Sequence, residues 1–499
     1  MSKVYTYKFP YLAQYTSIKA GMPVSLDEEG NIWPGAGFTL YRDSSYKEVT
    51  DEMKHVKVRR LDFDHVFVVY DGYATIFQAN CHGETYQGNT VELPMEGTER
   101  FRVRELVHLS GYRYIIVGRT TLLPVIVQRK DNTFKLNVGT PLEMNIDEDR
   151  FPHVDNLDDD TFAMVYENGF FLYTNYGSWV DGDKPSLVLK AQAKLMHRRL
   201  DFHGIAGMDS NHWVVAATGK VHNSTSPYTS TRAWLVTLKD GAMTVSEHIY
   251  VPWSMTCGWF GMDNIGRDHV IIAYSDLFDN GVRAVLLSFD RQKESISFGA
   301  QAVMQKGGSI VDFEQIDVTV LNNRQFVVTY EDGVAHGLMM VMGSRTDSND
   351  ILATSPTFVV GRPGRGEHLD YFHFDVAELG KEHFVIIETR KVNGRFSTRI
   401  DLADSYPRLL GIAKANGKKG VAEIQLGGIL TVSSKKKLTP GRAIYANSKG
   451  DLIESLPYGY ASRNFGVFYV VDQETNTIVD NRNLIGVAVS KNKIRMRLQ

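Results

Sequence analysis

Gly261-Met-Asp-Asn-Ile265, Val270-Ile-Ile-Ala-Tyr274, Asp279-Asn-Gly281, Arg283-Ala-Val-Leu-Leu-Ser-Phe289 and Ser295-Ile-Ser-Phe298 follow one another in a single stretch. The first piece alternates apolar and polar residues, and the second is short, β-branched and apolar throughout. Asn-Gly marks a tight hairpin, because both residues tolerate positive φ. Two further strand-like pieces follow, so the stretch reads as four consecutive antiparallel strands.

The apolar piece recurs as Val66-Phe-Val-Val-Tyr70, Tyr114-Ile-Ile-Val117, Phe162-Ala-Met-Val-Tyr166, Trp213-Val-Val-Ala216, Phe326-Val-Val-Thr-Tyr330 and Phe384-Val-Ile-Ile387. Its spacing is roughly 48 residues early in the chain and 57 later, the range of stacked β units. The alternating segment before it returns as His153-Val-Asp-Asn-Leu157, Gln315-Ile-Asp-Val-Thr-Val320 and Phe372-His-Phe-Asp-Val376. Hairpin turns after it return at Asp71-Gly72, Glu167-Asn-Gly169, Glu331-Asp-Gly333 and Asn393-Gly394. Third strands are legible at Ala233–Leu238 and Gly337–Met342, and a weaker fourth at Phe134–Val138. Strands that are apolar on both sides belong in sheets covered on both faces. Four strands per unit and seven units predict an all-β, seven-bladed β-propeller over residues 51–407. A row of β-sandwiches would need linkers between copies, and none is visible.

Composition agrees. The 43% hydrophobic and 11% aromatic content supports a large core, which argues against disorder. A net charge of −3 with no long basic run argues against nucleic acid as a partner. Lys435-Lys436-Lys437 reads as a solvated loop. Cys81 and Cys257 stand apart, with no disulfide framework or metal-ligand spacing. No apolar run reaches the roughly 18 residues of a membrane span, and the opening Met1–Pro10 lacks the apolar core of a signal peptide. The expectation is a protein made in a cytoplasm and not inserted in a membrane.

Residues 1–50 and 408–499 depart from the repeat. Both read as short strands broken by Gly and Pro. The first contains Ala20-Gly-Met-Pro-Val-Ser-Leu26 followed by the turn at Gly30, and the second Gly411-Ile-Ala413, Gly420–Leu430, Leu438-Thr-Pro-Gly441, Ala443–Ala446 and Ile485–Val489. These residues resemble small β modules of bacteriophage structural proteins, found in tail fibres and in capsid decoration proteins. The resemblance implies a virion protein, present in several copies, whose ends fasten it to other virion proteins. It brings no catalytic residue, and it does not cover the propeller. In such modules the elements run in one piece, which suggests that here the propeller is inserted, or that each end packs as its own mount.

No Gly-x-Ser-x-Gly, His-Glu-x-x-His or calcium loop occurs, and the near phosphate loop at Gly411–Lys419 has the wrong spacing. The expectation is therefore a binding protein with no catalytic residue, metal or cofactor. The recurring Asp155, Asp263, Asp317 and Asp375 suggest either a ring of ligands or, as Asp commonly serves, acceptors for backbone amides at turns. Asp158-Asp159-Asp160 reads as a solvated turn, although paired carboxylates could also cleave a glycosidic bond, the enzymatic alternative. Candidate ligand contacts are Tyr176 and Trp179 in the loop-like Tyr176–Gly182, and Trp253 near a blade junction, since sugar faces stack on large aromatics. Trp259 and Phe260 read as blade packing. A host surface glycan is the partner these aromatics would fit. An intracellular scaffold is the remaining alternative.

Overall fold

A computed structural model describes most of residues 53–404, less a set of inter-strand connections (221–228, 252–259, 306–315 and 362–368 among them), and from the two ends the strands named below. The seven apolar runs occupy equivalent places. Each lies in the second strand of an antiparallel sheet: His65–Tyr70, Arg113–Val117, Thr161–Asn168, His212–Lys220, His269–Asp276, Gln325–Asp332 and His383–Val392. The alternating segments form the first strands, Lys57–Arg60, Glu105–His108, His153–Asn156, Phe202–Asp209, Phe260–Asn264, Ile316–Val320 and Leu369–Gly380. Each sheet has four main strands, in sequential order in blades one to six, and short extra strands widen blades two, four and six. The chain is an all-β, seven-bladed propeller.

Side chains alternate along a strand, so a second strand offers two faces. In blade one, Phe67 and Val69 pack with Tyr114 and Ile116 of blade two. Val66, Val68 and Tyr70 pack instead with Val385 and Ile387 of blade seven. The same partition repeats, and seven separate apolar clusters fill the seven blade junctions. This is why the runs show no alternation of polarity.

Two glycines inside strands belong to this packing. Phe162 lies opposite Gly177, and Phe326 opposite Gly343. A Cβ at these glycines would sit 2.4 and 2.2 Å from the facing ring. The missing side chain is the space the ring fills. The turn glycines Gly72 and Gly169 have φ of 81° and 61°, as the hairpin reading requires.

The ring closes with a strand from the front of the chain. Blade seven takes its first three strands from residues 369–404, and its fourth is Thr39–Tyr41, paired with Leu402–Asp404. The break between end segment and propeller thus falls before Thr39 and not at residue 50. The closing ladder was invisible in the sequence because it is three residues long.

The remaining end strands make a sheet of their own. Tyr5–Pro10 pairs with Val421–Gly427, and Pro23–Leu26 pairs with both Ile32–Pro34 and Leu409–Ala413. Lys493–Met496, Leu484–Ser490, Ala443–Ala446 and Leu452–Glu454 extend this antiparallel sheet. Its described buried residues include Tyr11, Val24, Ala413, Ala422 and Ile424, and further along the sheet Ile444, Ile494 and Met496.

Burying an unpaired carboxylate costs several kcal/mol, so Ile271→Asp and Val327→Asp, both at fully buried positions, are expected to abolish soluble protein. Ile271→Val, which deletes one methyl, should cost only about 0.5–1.5 kcal/mol in a denaturant titration. Equal behaviour of the Val and Asp variants would contradict the junction packing.

Candidate functional site

The first strands line the axis, and each is a sheet edge. One set of N–H groups bonds the second strand, and the alternate set points to the axis with no strand to receive it. Buried N–H groups must find acceptors. Carboxylates supply them, reaching from one blade to the next.

Two tiers of this clasp are present. In the first, Gly207 N–H donates to Asp155 Oδ2 at 2.7 Å and Val320 N–H donates to Asp263 Oδ2 at 2.7 Å. The other oxygen of each acid accepts from its own strand: Asn156 N–H to Asp155 Oδ1 at 2.9 Å and Asn264 N–H to Asp263 Oδ1 at 2.7 Å. In the second tier, Val154 N–H donates to Glu105 Oε2 at 2.9 Å and Val58 N–H donates to Asp375 Oδ2 at 2.7 Å. Asp317 accepts from Val318 N–H at 2.8 Å. The four carboxylate–amide bonds between blades run in one rotational sense, from a blade's acid to the following blade's amide. Of the two readings of the aspartate repeat, backbone acceptors is the one seen. The amides lie across blade junctions, however, and not where a strand turns.

Above this lining lies an axial cavity of about 440 Å³, walled by residues of all seven first strands. Its charged groups include Arg59, Arg60, Glu105, Asp155, Asp263, Asp317 and Glu378. Arg59 donates to Asp375 Oδ2 at 3.1 Å, Lys57 Nζ stands 3.9 Å from Asp375 Oδ1, and Arg60 reaches Glu378 at 3.3 Å. Burial pushes Asp155 and Asp263 up to about 7 and raises Asp317 as well, and a neighbouring like charge adds to each: Glu105 on Asp155, Asp155 on Asp263 and Asp375 on Asp317. Burial also raises Glu105. For Arg59, burial acts downward but the fields of Asp375, Asp317 and Glu105 outweigh it, so the guanidinium is held charged. At the other end of the first strands four histidines gather in two edge-to-face pairs, His153 with His203 and His55 with His373.

Chemically, the axis offers acids with raised pKa values set beside the half-buried Arg59 guanidinium. The two acids of the first tier have both oxygens on backbone amides, which suits holding an edge more than moving a proton. Among the described residues, no three His, Cys, Asp or Glu side chains converge as metal ligands.

The aromatic candidates fall elsewhere. Tyr176 and Trp179 lie in the strand Phe171–Val180, not in a loop. Trp179 is 6% exposed and packs at the junction of blades two and three. Its Nε1–H donates to Asp181 at 3.0 Å, while Arg113 lies over the ring and binds Asp160 and Asp181. Gly177 misled the loop reading, since it serves Phe162. Tyr176 is half-buried, stacked beside Trp213 with Lys190 over its ring. Trp253 and Trp259 lie outside the described residues, whereas Phe260 packs at the junction of blades four and five. Sequence reading missed Glu105, Lys57 and Arg59. Only their place one or three residues ahead of the strand end, level with the aspartates, could have shown them.

No family model matches the chain, and no curated protein does. Solved structures with a similar outline include a Lactobacillus plantarum protein at 12% identity, covering 72% of this chain and 100% of that one, with a TM-score of 0.42. A putative 6-phosphogluconolactonase from Bacteroides uniformis shows 11% identity, coverage of 72% and 98%, and a TM-score of 0.43. The β-propeller domain of Nup133 from Vanderwaltozyma polyspora shows 9% identity, coverage of 71% and 94%, and a TM-score of 0.43. Likeness at this level says nothing of activity.

A carboxyl whose pKa is higher folded than unfolded holds its proton better in the folded state, so it favours folding at low pH. With folded values of about 7 for Asp155 and Asp263, this contribution is lost as pH rises from about 4 to about 7. The Asp155→Asn/Asp263→Asn variant should therefore show a flatter dependence of Tm on pH across that range. Trp179→Ala should destabilise the fold by about 3 kcal/mol, as large core truncations do. A Trp179→Ala protein with unchanged Tm would return Trp179 to the list of surface contacts.

Proposed function

We propose that this protein is a non-enzymatic display scaffold of a virion surface, in which the propeller is presented outward and the two chain ends form its mount. The observation that carries the reading is the pairing of the ends: Tyr5–Pro10 and Pro23–Leu26 join Leu409–Ala413 and Val421–Gly427 in one sheet, while the propeller closes on itself through Thr39–Tyr41. The strands so joined are those whose sequence resembles phage tail-fibre and decoration modules. Virion proteins or further copies of the chain are the partners this reading names for the mount. The engagement of the axial acids with backbone amides supports the non-enzymatic half of the reading.

The exposed rings that remain suit a host glycan. Phe170 and Tyr250 are 65% and 56% exposed. Arg232 lies over the Tyr250 ring, 5.3 Å from its centroid.

Assembly separates the parts. A chain reduced to residues 39–404 keeps all seven blades and should fold as a soluble propeller, yet fail to enter particles that take up the full chain. Truncated protein at normal copy number on assembled particles would place the mount on the propeller. Release of oligosaccharide from host capsule or lipopolysaccharide by the pure protein would establish the enzymatic alternative instead.

A further inference from the structure

Blades one to six each draw their strands from one continuous run of chain, but blade seven does not. From Tyr41 the chain goes on to the first strand of blade one, so the covalent ring is complete only if Thr39–Tyr41 stays on Leu402–Asp404. If that ladder parts, blades seven and one are joined by side chains alone. These are the junction cluster around Val66, Val385 and Ile387, and the bonds from Val58 and Arg59 to Asp375.

The base of the ladder is where both connections to the end sheet leave. Thr39 is paired with Asp404. Residues 35–38 lead back from Thr39 to Pro34, and residues 405–408 lead on from Asp404 to Leu409. Each connection spans at most about 17 Å when extended. In the end sheet both far ends are fixed on the same strand, Pro34 opposite Val24 and Leu409 opposite Ser25. They lie on its two sides, so about two strand spacings, or 10 Å, separate them. With its base held, a short antiparallel pair can part only from its far end, at Tyr41 and Leu402, and the held base keeps the two strands within reach of re-pairing. The end sheet clamps the base.

We propose that the end sheet is a latch on the propeller: it fixes the base of the Thr39–Tyr41 ladder, and loosening it opens the ring between blades seven and one. The latch follows from the strand pairing alone and holds wherever the protein is displayed. Events at the mount are thereby transmitted to the axial cavity, because Asp375, Val58 and Arg59 stand on the two blades that would separate.

Hydrogen exchange on the full chain tests it. Val24 is fully buried in the end sheet, and Val24→Asp should loosen that sheet. Amides of Ile400–Asp404, Phe374–Ala377 and Lys57–Arg60 should then exchange about tenfold faster or more, with the second strands of blades three to five unchanged. Leu40 and Ala403 are directly opposed, within disulfide reach. The oxidised Leu40→Cys/Ala403→Cys staple, added to Val24→Asp, should restore protection in blades seven and one, and its reduction should remove it. Two outcomes overturn the latch. One is an end sheet that exchanges freely while blade seven keeps its protection. The other is loss of protection over all seven blades that the staple does not reverse.

Discussion

Seven sheet edges meet around one axis, and their inward N–H groups have no strand to bond. An unmet buried donor costs roughly 1–3 kcal/mol, and a ring of edges multiplies it. The carboxylate clasp removes this cost at Val58, Val154, Gly207 and Val320. At the four junctions it spans among the described residues, it also fixes the height of one blade against the next, since an acid in one strand reaches one particular amide in its neighbour. The junction clusters there depend on that registry, because Ile271 meets Val328 only at matched heights. Burying so many acids has its own cost, visible in their raised pKa values. Lys57 and Arg59 near Asp375 offset part of it.

The fold was legible because one of its strands is chemically extreme. A run such as Val270–Tyr274, covered on both faces, cannot be polar at any position, so seven such runs stand out without help from neighbours. The aspartate repeat was legible too, and its role as amide acceptor follows from what Asp does at a sheet edge. Less visible were features whose meaning depends on a distant residue. Glu105 joins the clasp with a longer side chain on the same tier as Asp375, so no search for Asp finds it. Gly177 reads as a loop breaker until Phe162 is placed opposite it. Trp179 then becomes a strand residue under Arg113, and the exposed aromatic of the sequence becomes a packed one. Ring closure by Thr39–Tyr41 is the extreme case: three ordinary residues acquire their role only from Leu402–Asp404, far along the chain.

The ends show a different balance. Their strand positions were readable from Gly and Pro punctuation, and Pro23–Leu26 and Ile32–Pro34 pair as a local hairpin. Their union with the C-terminal strands is non-local, and turn chemistry says nothing about it. Two halves of one sheet lie on either side of the whole propeller in the sequence. The propeller is thus a guest seated between the halves of a host, entering and leaving at Thr39 and Asp404.

The single rotational sense of the clasp has a bearing on how such a ring can change over generations. Blade three carries both halves of a clasp, the Val154 amide bonded to Glu105 of blade two and the acid Asp155 bonded to Gly207 of blade four. Blades three and five share the Asp-Asn pair at the same height, with identical bonding on both oxygens. A duplicated copy of either would bring the acid half of its fastening. It would need a neighbour that offers an amide at the height of Gly207 and Val320, since its own amide there is already bonded to its own aspartate. Recombination that keeps acid and receiving blade together as a pair carries the joint intact.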